Sequence, residues 1–235
     1  MALPKLNAAR YTTIIPSTGK EIDYRPYLVK EEKILMLAME SQDQQQIVKA
    51  IKDVLSNCIY DDVNVDKLAM FDLEYLFLML RSKSVGENVE LKAKCEHCEE
   101  QNEVSLNISN IKPPQNAENS NVIELTKNIG ITIRYPTIKD IEKFKEDDLK
   151  SMEGLTKLIV QLIDTIYDED NVYDASTQSQ SDLMEFIDGF STEQFLKVAS
   201  FFEKLPTLKH NLEFNCTSCG AANNIELKGL QSFFS

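Results

Sequence analysis

Much familiar enzyme chemistry is missing from this sequence. It contains no Walker-type Gly-Lys-Ser loop, no Gly-x-Gly-x-x-Gly, no His-Glu-x-x-His and no Gly-x-Ser-x-Gly. Those spacings build phosphate cradles, dinucleotide turns, zinc-protease helices and nucleophile elbows, so none of the four is expected here. Only two histidines are present, His97 and His210. Basic side chains are also scarce: 25 Lys and Arg face 38 Asp and Glu, for a formal net charge of −13. A surface this acidic repels phosphate backbones, which makes nucleic acid a poor partner and proteins with basic patches good ones. No segment approaches the roughly 18 apolar residues of a membrane span, and the first residues lack the apolar run of a signal peptide. The expectation is a soluble, cytosolic protein with no membrane partner. Acidic runs such as YDEDN at 167–171 lack the Gly and terminal Glu of a calcium loop and read as a solvated helix end. Taken together, the absences point away from an enzyme.

What the chain does have is cysteine in a particular arrangement. Cys95 and Cys98 form one Cys-x-x-Cys, Cys216 and Cys219 a second, and an Asn follows four residues after each pair. In a reducing compartment such thiols read as free thiols or metal ligands rather than as a disulfide framework. A structural zinc takes four soft ligands in a tetrahedron, and one Cys-x-x-Cys supplies two. The two pairs therefore read as halves of one four-cysteine zinc site. The segment Glu99–Asn215 lies between them. Closing so long a loop costs about 4 kcal/mol, against roughly 10–16 kcal/mol for structural zinc in small peptides. Three other readings compete. A redox pair would open a helix, whose N-terminus lowers the thiol pKa, and neither pair precedes an amphipathic helix. Two metal-free thiol pairs, or two zinc ions each completed by another chain, also satisfy the pattern. His97, inside the first pair, is expected to point outward, His210 to be a strand residue and Cys58 a buried thiol on a helix stripe.

With 43% hydrophobic residues the chain can build one core or two small domains. The N-terminal stretch reads as a strand, a Ser-Thr-Gly turn and a strand, followed by helices. In the first helix Ile34, Leu35, Leu37 and Ala38 are expected to pack together. In the second, Ile47, Val48, Ile51, Val54, Leu55 and Cys58 recur at helical spacing. Alternation on both sides of each Cys-x-x-Cys predicts two hairpins with the cysteines at their tips. Setting Cys95 on Cys216 also sets Leu91 on Leu212, Asn102 on Asn223 and Leu106 on Leu227, a weak internal repeat. The loop KPPQNAENSN is the best segment boundary. Two short strands follow, then a helical reading over 137–205 in which Leu155, Ile159, Leu162, Ile163 and Ile166 share one face. Thr137 with Asp140, and Ser191 with Gln194, have helix-start spacing. The fold class is thus α+β, a mostly helical body with a zinc-ribbon-like pair of hairpins brought together from mid-chain and C-terminus. The expected parts are 1–84, a discontinuous module of 85–112 and 207–235, and an insertion of 113–206.

Two stretches carry a resemblance. DLEYLFLMLRSKSVGENVELKAKCEHC is a helix ending in Leu-Arg-Ser, a Gly-Glu turn and a strand into the first pair. LEFNCTSCGAANNIELKGLQSFF closes the chain with the second pair and a Phe-Phe end. Together they resemble the baseplate hub and hub-assembly proteins of T4-like contractile-tailed bacteriophages, over most of Tyr11–Phe234. The resemblance implies a structural or chaperone-like assembly role, with hub and other tail proteins as partners. It places the protein in the host cytoplasm during assembly or in the virion tail baseplate. The alternative is a zinc-ribbon regulator that binds nucleic acid or RNA polymerase. Candidate contact surfaces are LMLRSKSVGE and the C-terminal LQSFF, although Phe-Phe is expected in the core and Arg81 and Lys83 at a solvated helix end.

Overall fold

A computed structural model describes residues 8–114, 121–141, 143 and 151–233. It opens with β1 (Tyr11–Ile14) and β2 (Glu21–Tyr24), then α1 (Val29–Glu40), α2 (Gln44–Cys58) and α3 (Met70–Ser84). β3 (Asn88–Lys94) and β4 (Gln101–Asn107) follow, then β5 (Val122–Glu124), β6 (Gly130–Ile133) and the short α4 (Ile138–Ile141). Next come α5 (Met152–Leu162), β7 (Ile163–Tyr167), β8 (Val172–Asp174), α6 (Gln180–Asp188) and α7 (Thr192–Glu203). β9 (Lys209–Asn215) and β10 (Ala222–Lys228) complete the order. The chain divides into two compact units, Met1–Gln115 with Thr207–Ser235, and Asn116–Pro206.

The first unit is built around α3. Its residues Leu73, Tyr75, Leu76, Phe77, Leu78 and Leu80 are all buried. They point in every direction around the axis, as befits a helix enclosed on all sides. α2 contributes the stripe Ala50, Ile51, Val54, Leu55 and Cys58, and its start is capped by Asp43, which accepts from the Gln45 and Gln46 N–H groups. Asp72 accepts from the Ala69 N–H at the start of α3. The same carboxylate takes the backbone N–H and hydroxyl of Ser17 at 2.8 and 2.6 Å, so it pins the β1–β2 turn to the central helix. Burial pushes the Asp72 carboxyl above the ordinary carboxylate range despite these bonds. Phe233 is fully buried, in keeping with a core role for this end of the chain; Phe234 lies outside the described residues.

Two expectations are revised in this unit. Of the four apolar residues assigned to the packed face of α1, Leu35 and Ala38 are buried, whereas Ile34 is 42% and Leu37 68% exposed. Residues 34 and 37 lie about 100° and 160° around the helix from residue 35, outside the arc facing the core. Arg81 is half-buried rather than solvated. Lys83 pairs with Glu87 and sits over the Tyr11 ring.

The second unit contains a four-stranded antiparallel sheet in the order β5-β6-β7-β8. Ile131, Ile133, Leu158, Ile159, Leu162, Leu183, Ile187, Val198 and Phe201 form its core. The continuous helical reading over the Leu155–Ile166 repeat is corrected here, because α5 ends at Leu162 and Ile163–Tyr167 is a strand. Ile163, Thr165 and Ile166 are β-branched and suited to a pleated surface, and β6 supplies their partners Ile133, Thr132 and Ile131. The Thr132 and Thr165 hydroxyls bond at 2.6 Å. YDEDN is accordingly a hairpin turn rather than a helix end, with the Asp168 N–H donating to the Asn171 carbonyl at 3.0 Å. The two helix-start spacings are formed: Ser191 and Gln194 exchange side-chain to backbone bonds, and Asp140 accepts from the Thr137 N–H.

Gly130 on β6 is a point of close approach. A Cβ there would run into the ring and hydroxyl of Tyr167 and lie 2.9 Å from the Ile123 carbonyl oxygen. Gly130→Ala is expected to cost about 1–3 kcal/mol by overpacking. Urea unfolding that matches the native chain within error would refute that packing.

Candidate metal centre

The period of the strands places the cysteines. Along β3 the buried side chains are Val89, Leu91 and Ala93, and the next inward position is Cys95. Along β9, Leu212 is buried and the same alternation arrives at Cys216. In each hairpin the second cysteine then sits on the turn, where Cys98 and Cys219 are exposed.

The two turns have one backbone design. The Cys95 N–H donates to the Glu100 carbonyl at 2.8 Å, and the Cys216 N–H to the Ala221 carbonyl at 2.9 Å. The Glu99 N–H donates to the Cys95 carbonyl and the Gly220 N–H to that of Cys216, at 3.0 and 2.9 Å. Glu99 and Gly220 occupy equivalent positions with φ of 62° and 73°. Glycine takes that left-handed conformation without strain, whereas a side chain does so at some cost.

All four sulfurs lie within 4.8 Å of one another. Cys95 Sγ is 3.8 Å from Cys219 Sγ, and Cys98 Sγ is 3.6 Å from Cys216 Sγ. A zinc–sulfur bond of about 2.3 Å gives a tetrahedral edge of about 3.8 Å, so the quartet has the dimensions and soft donor set of a closed four-thiolate centre. Local groups favour ionisation at two of the thiols. The Cys219 N–H, with help from the Ser218 N–H, brings Cys216 down to about 6, against the opposing effect of burial. Cys95 is lowered mainly by the Cys98 N–H and also by the His97 N–H. At Cys98 the Glu100 N–H favours the thiolate, but the Cys219 and Cys216 sulfurs outweigh it and push the group up to about 12. Thiolates this close repel one another, and a bound cation is what lets all four ionise together.

The structure also gives a role to two asparagines. Asn102 and Asn223 are buried, at 3% and 5% exposure. The Asn102 side-chain carbonyl accepts from the N–H and hydroxyl of Thr217 on the other hairpin, at 2.8 and 2.9 Å. The Asn223 carbonyl accepts from the Glu96 N–H at 2.9 Å, in the opposite direction. Their amides donate back to Glu100 and Ala221 of their own turns. Each asparagine thus crosses to the residue that follows the first cysteine of the other pair, and the two hairpins are related by an approximate two-fold. The repeated spacing was visible in the sequence as an Asn four residues after each second Cys, without a role attached to it. His97 is exposed, His210 is half-buried in β9, and Cys58 is buried on α2, its thiol pushed up to about 11 by burial.

Asn102→Ala or Asn223→Ala is expected to cost about 1–3 kcal/mol, because each removes a buried side-chain amide together with its part-buried bonds to both turns. The exposed neighbour Asn224→Ala is expected to stay within about 0.5 kcal/mol. Chemical denaturation of the three variants separates a clasp from a generic surface amide.

No curated protein and no solved structure matches this chain. Residues 8–235 match the family described as T4 bacteriophage base plate protein. That match extends from ahead of β1 through both hairpins, so the chain belongs to the T4 bacteriophage base plate protein family.

Proposed function

We propose that the protein is a non-enzymatic component or assembly factor of the baseplate hub, acting through protein–protein binding, with a structural zinc held by Cys95, Cys98, Cys216 and Cys219. The observation that carries the reading is the family match across both hairpins and everything between them. Base plate membership implies other tail proteins as partners and the virion tail as a destination. The hub position and the chaperone-like role rest on the resemblance of the two hairpin stretches to hub and hub-assembly proteins. The sulfur quartet supports the metal assignment, and four thiolates leave no open coordination position for activating water, which suits a structural ion. The net charge of −13 favours encounter with basic partner surfaces.

The deciding experiment is affinity purification of the tagged protein from infected cells at several times after infection, followed by mass spectrometry of both the eluate and finished virions. Hub proteins in the eluate are the expected result, and presence in virions separates a resident subunit from a transient factor. Polymerase subunits or DNA in place of tail proteins would overturn the reading.

A further inference from the structure

Within the second unit, a cleft of about 250 Å³ opens between the β7–β8 hairpin and α6. Its walls are Ile166, Tyr167, Tyr173, Leu183 and Phe186, and Asp168 and Asp182 stand on its rim. We propose that this cleft is a docking site for a basic side chain, an arginine in an apolar-flanked segment of a partner protein. The proposal rests on the base plate binding role and names the chemistry of one contact in it.

Three observations carry it. The first is the lining. Tyr167, Tyr173 and Phe186 line the cleft with Ile166 and Leu183, and a guanidinium is attracted to aromatic rings while its methylene stem packs on apolar side chains. The second is the state of the two carboxylates. Asp168 is committed to the turn, accepting from the Asp170 and Asn171 N–H groups and from the Tyr173 hydroxyl. The last of these bonds ties Tyr173, one wall of the cleft, to the turn. Asp182 is exposed, and among the described residues none bonds to its carboxylate. It is therefore available to an incoming donor pair. The third is the field around the cleft. The stretch from β7 through α6, residues 163–188, contains eight acidic side chains and no Lys or Arg. A second copy of so acidic a segment would be repelled, whereas a cationic partner is steered in. Gly130 belongs to the same construction, since its missing side chain lets Tyr167 lie across β6 and form one wall.

The test uses the full-length protein and a blocked pentapeptide carrying two arginines and a leucine, with a glutamate counterpart as control. Binding is followed by isothermal titration calorimetry, with tyrosine emission as a second signal, since two of the eight tyrosines line the cleft and the chain has no tryptophan. The arginine peptide is expected to bind, and Asp182→Asn and Phe186→Ala are each expected to weaken it about tenfold. Asp53→Asn, on α2, is expected to leave it unchanged. Circular dichroism confirms that each variant is folded. The proposal is overturned if the arginine peptide does not bind at millimolar concentration, if the glutamate peptide binds equally, or if both folded variants bind like the native chain. It is also overturned if sedimentation shows self-association that the cleft variants abolish, because the occupant is then a second copy. Copurification from infected cells separates this proposal from the one it rests on. If Asp182→Lys retains tail proteins as well as the native chain does, the cleft assignment fails and the binding role stands. If the native chain brings down no tail proteins, the binding role fails, while the peptide titration still reads the cleft.

Discussion

Cys216→Ser is expected to produce the largest single loss of stability in the first unit, about 4 kcal/mol or more, together with loss of bound zinc. Two-stranded hairpins are marginal by themselves, and β3–β4 and β9–β10 are separate two-stranded sheets. What joins them at their tips is the sulfur quartet and the two crossing asparagines. Structural zinc contributes roughly 10–16 kcal/mol in peptides that fold only around it. Here part of the centre is preorganised by the asparagines and by the core beneath, so a fraction of that figure is expected. Even the fraction rivals the roughly 5–15 kcal/mol of a whole domain. The measurements are metal content by mass spectrometry and thermal unfolding before and after chelation. One zinc per chain is expected in the native protein and none in Cys216→Ser, with chelation lowering the native melting temperature to near that of the variant. Cys58→Ala is the control, since its thiol is buried on α2 and is not one of the four in the quartet; it should retain full metal content. Reduced native protein that contains no metal and ignores chelators would remove the zinc from the proposal.

Asp140→Ala is expected to cost the second unit about 3–5 kcal/mol, nearer the lower figure because Arg134 is 39% exposed. Asp140 is itself buried and gathers five donor contacts. The Arg134 guanidinium approaches both oxygens at 2.5 and 3.0 Å, the Thr137 N–H and hydroxyl at 2.9 and 2.6 Å, and the Gln161 amide at 2.5 Å. Removing the carboxylate leaves a charge and several donors without their acceptor. A double-mutant cycle with Arg134→Ala should show strong coupling, and a single-variant loss below about 1 kcal/mol would refute the buried-network account.

The same group sets a pH dependence. Burial alone would raise the Asp140 pKa, but the Arg134, Thr137 and Gln161 donors outweigh it and hold the carboxyl well below its ordinary value of 3.8. A depressed carboxylate stabilises the folded state above its unfolded pKa, and that stability disappears as pH falls. The second unit is therefore expected to lose stability below about pH 4, and Asp140→Asn to flatten that dependence. Asp168 and Asp174 shift in the same direction. In the first unit Glu31 is opposed by burial, yet Arg25, the Leu28 N–H and Lys30 bring it to about 2 from 4.5. Its contribution, on the order of 3 kcal/mol, is lost as pH falls from about 4.5 to about 2. Asp72 and Glu74 are raised by burial and change with pH in the opposite sense. The acid response of that unit is consequently shallower.

Local patterns were the most readable part of the chain. Period-two alternation identified both hairpins, because Val89, Leu91, Ala93 and Cys95 must share one face of a strand. The stripe through Ile51, Val54, Leu55 and Cys58 identified α2 for the matching reason at helical period. Ser191 with Gln194, and Thr137 with Asp140, announced helix starts because a short side chain three residues from its partner can satisfy orphaned N–H groups. The failures have equally specific causes. Leu155, Ile159, Leu162, Ile163 and Ile166 fit a helix stripe, and nothing within the segment reveals that β6 will pair with its second half. Ile34 and Leu37 look like core residues until the packing direction of α1 is known.

The sequence by itself determined the donor chemistry of the candidate centre, its division into two halves, the hairpins that carry them and the acidity of the whole chain. These are properties of residue type and short spacing. Only the tertiary structure decided that the four sulfurs lie within one small volume, that Asn102 and Asn223 cross between the hairpins, and that Ile163–Tyr167 leaves the helix for a sheet. Each of these depends on a partner many residues away. Such a contact is set by which surfaces the whole fold brings together, and no local window of the chain contains it.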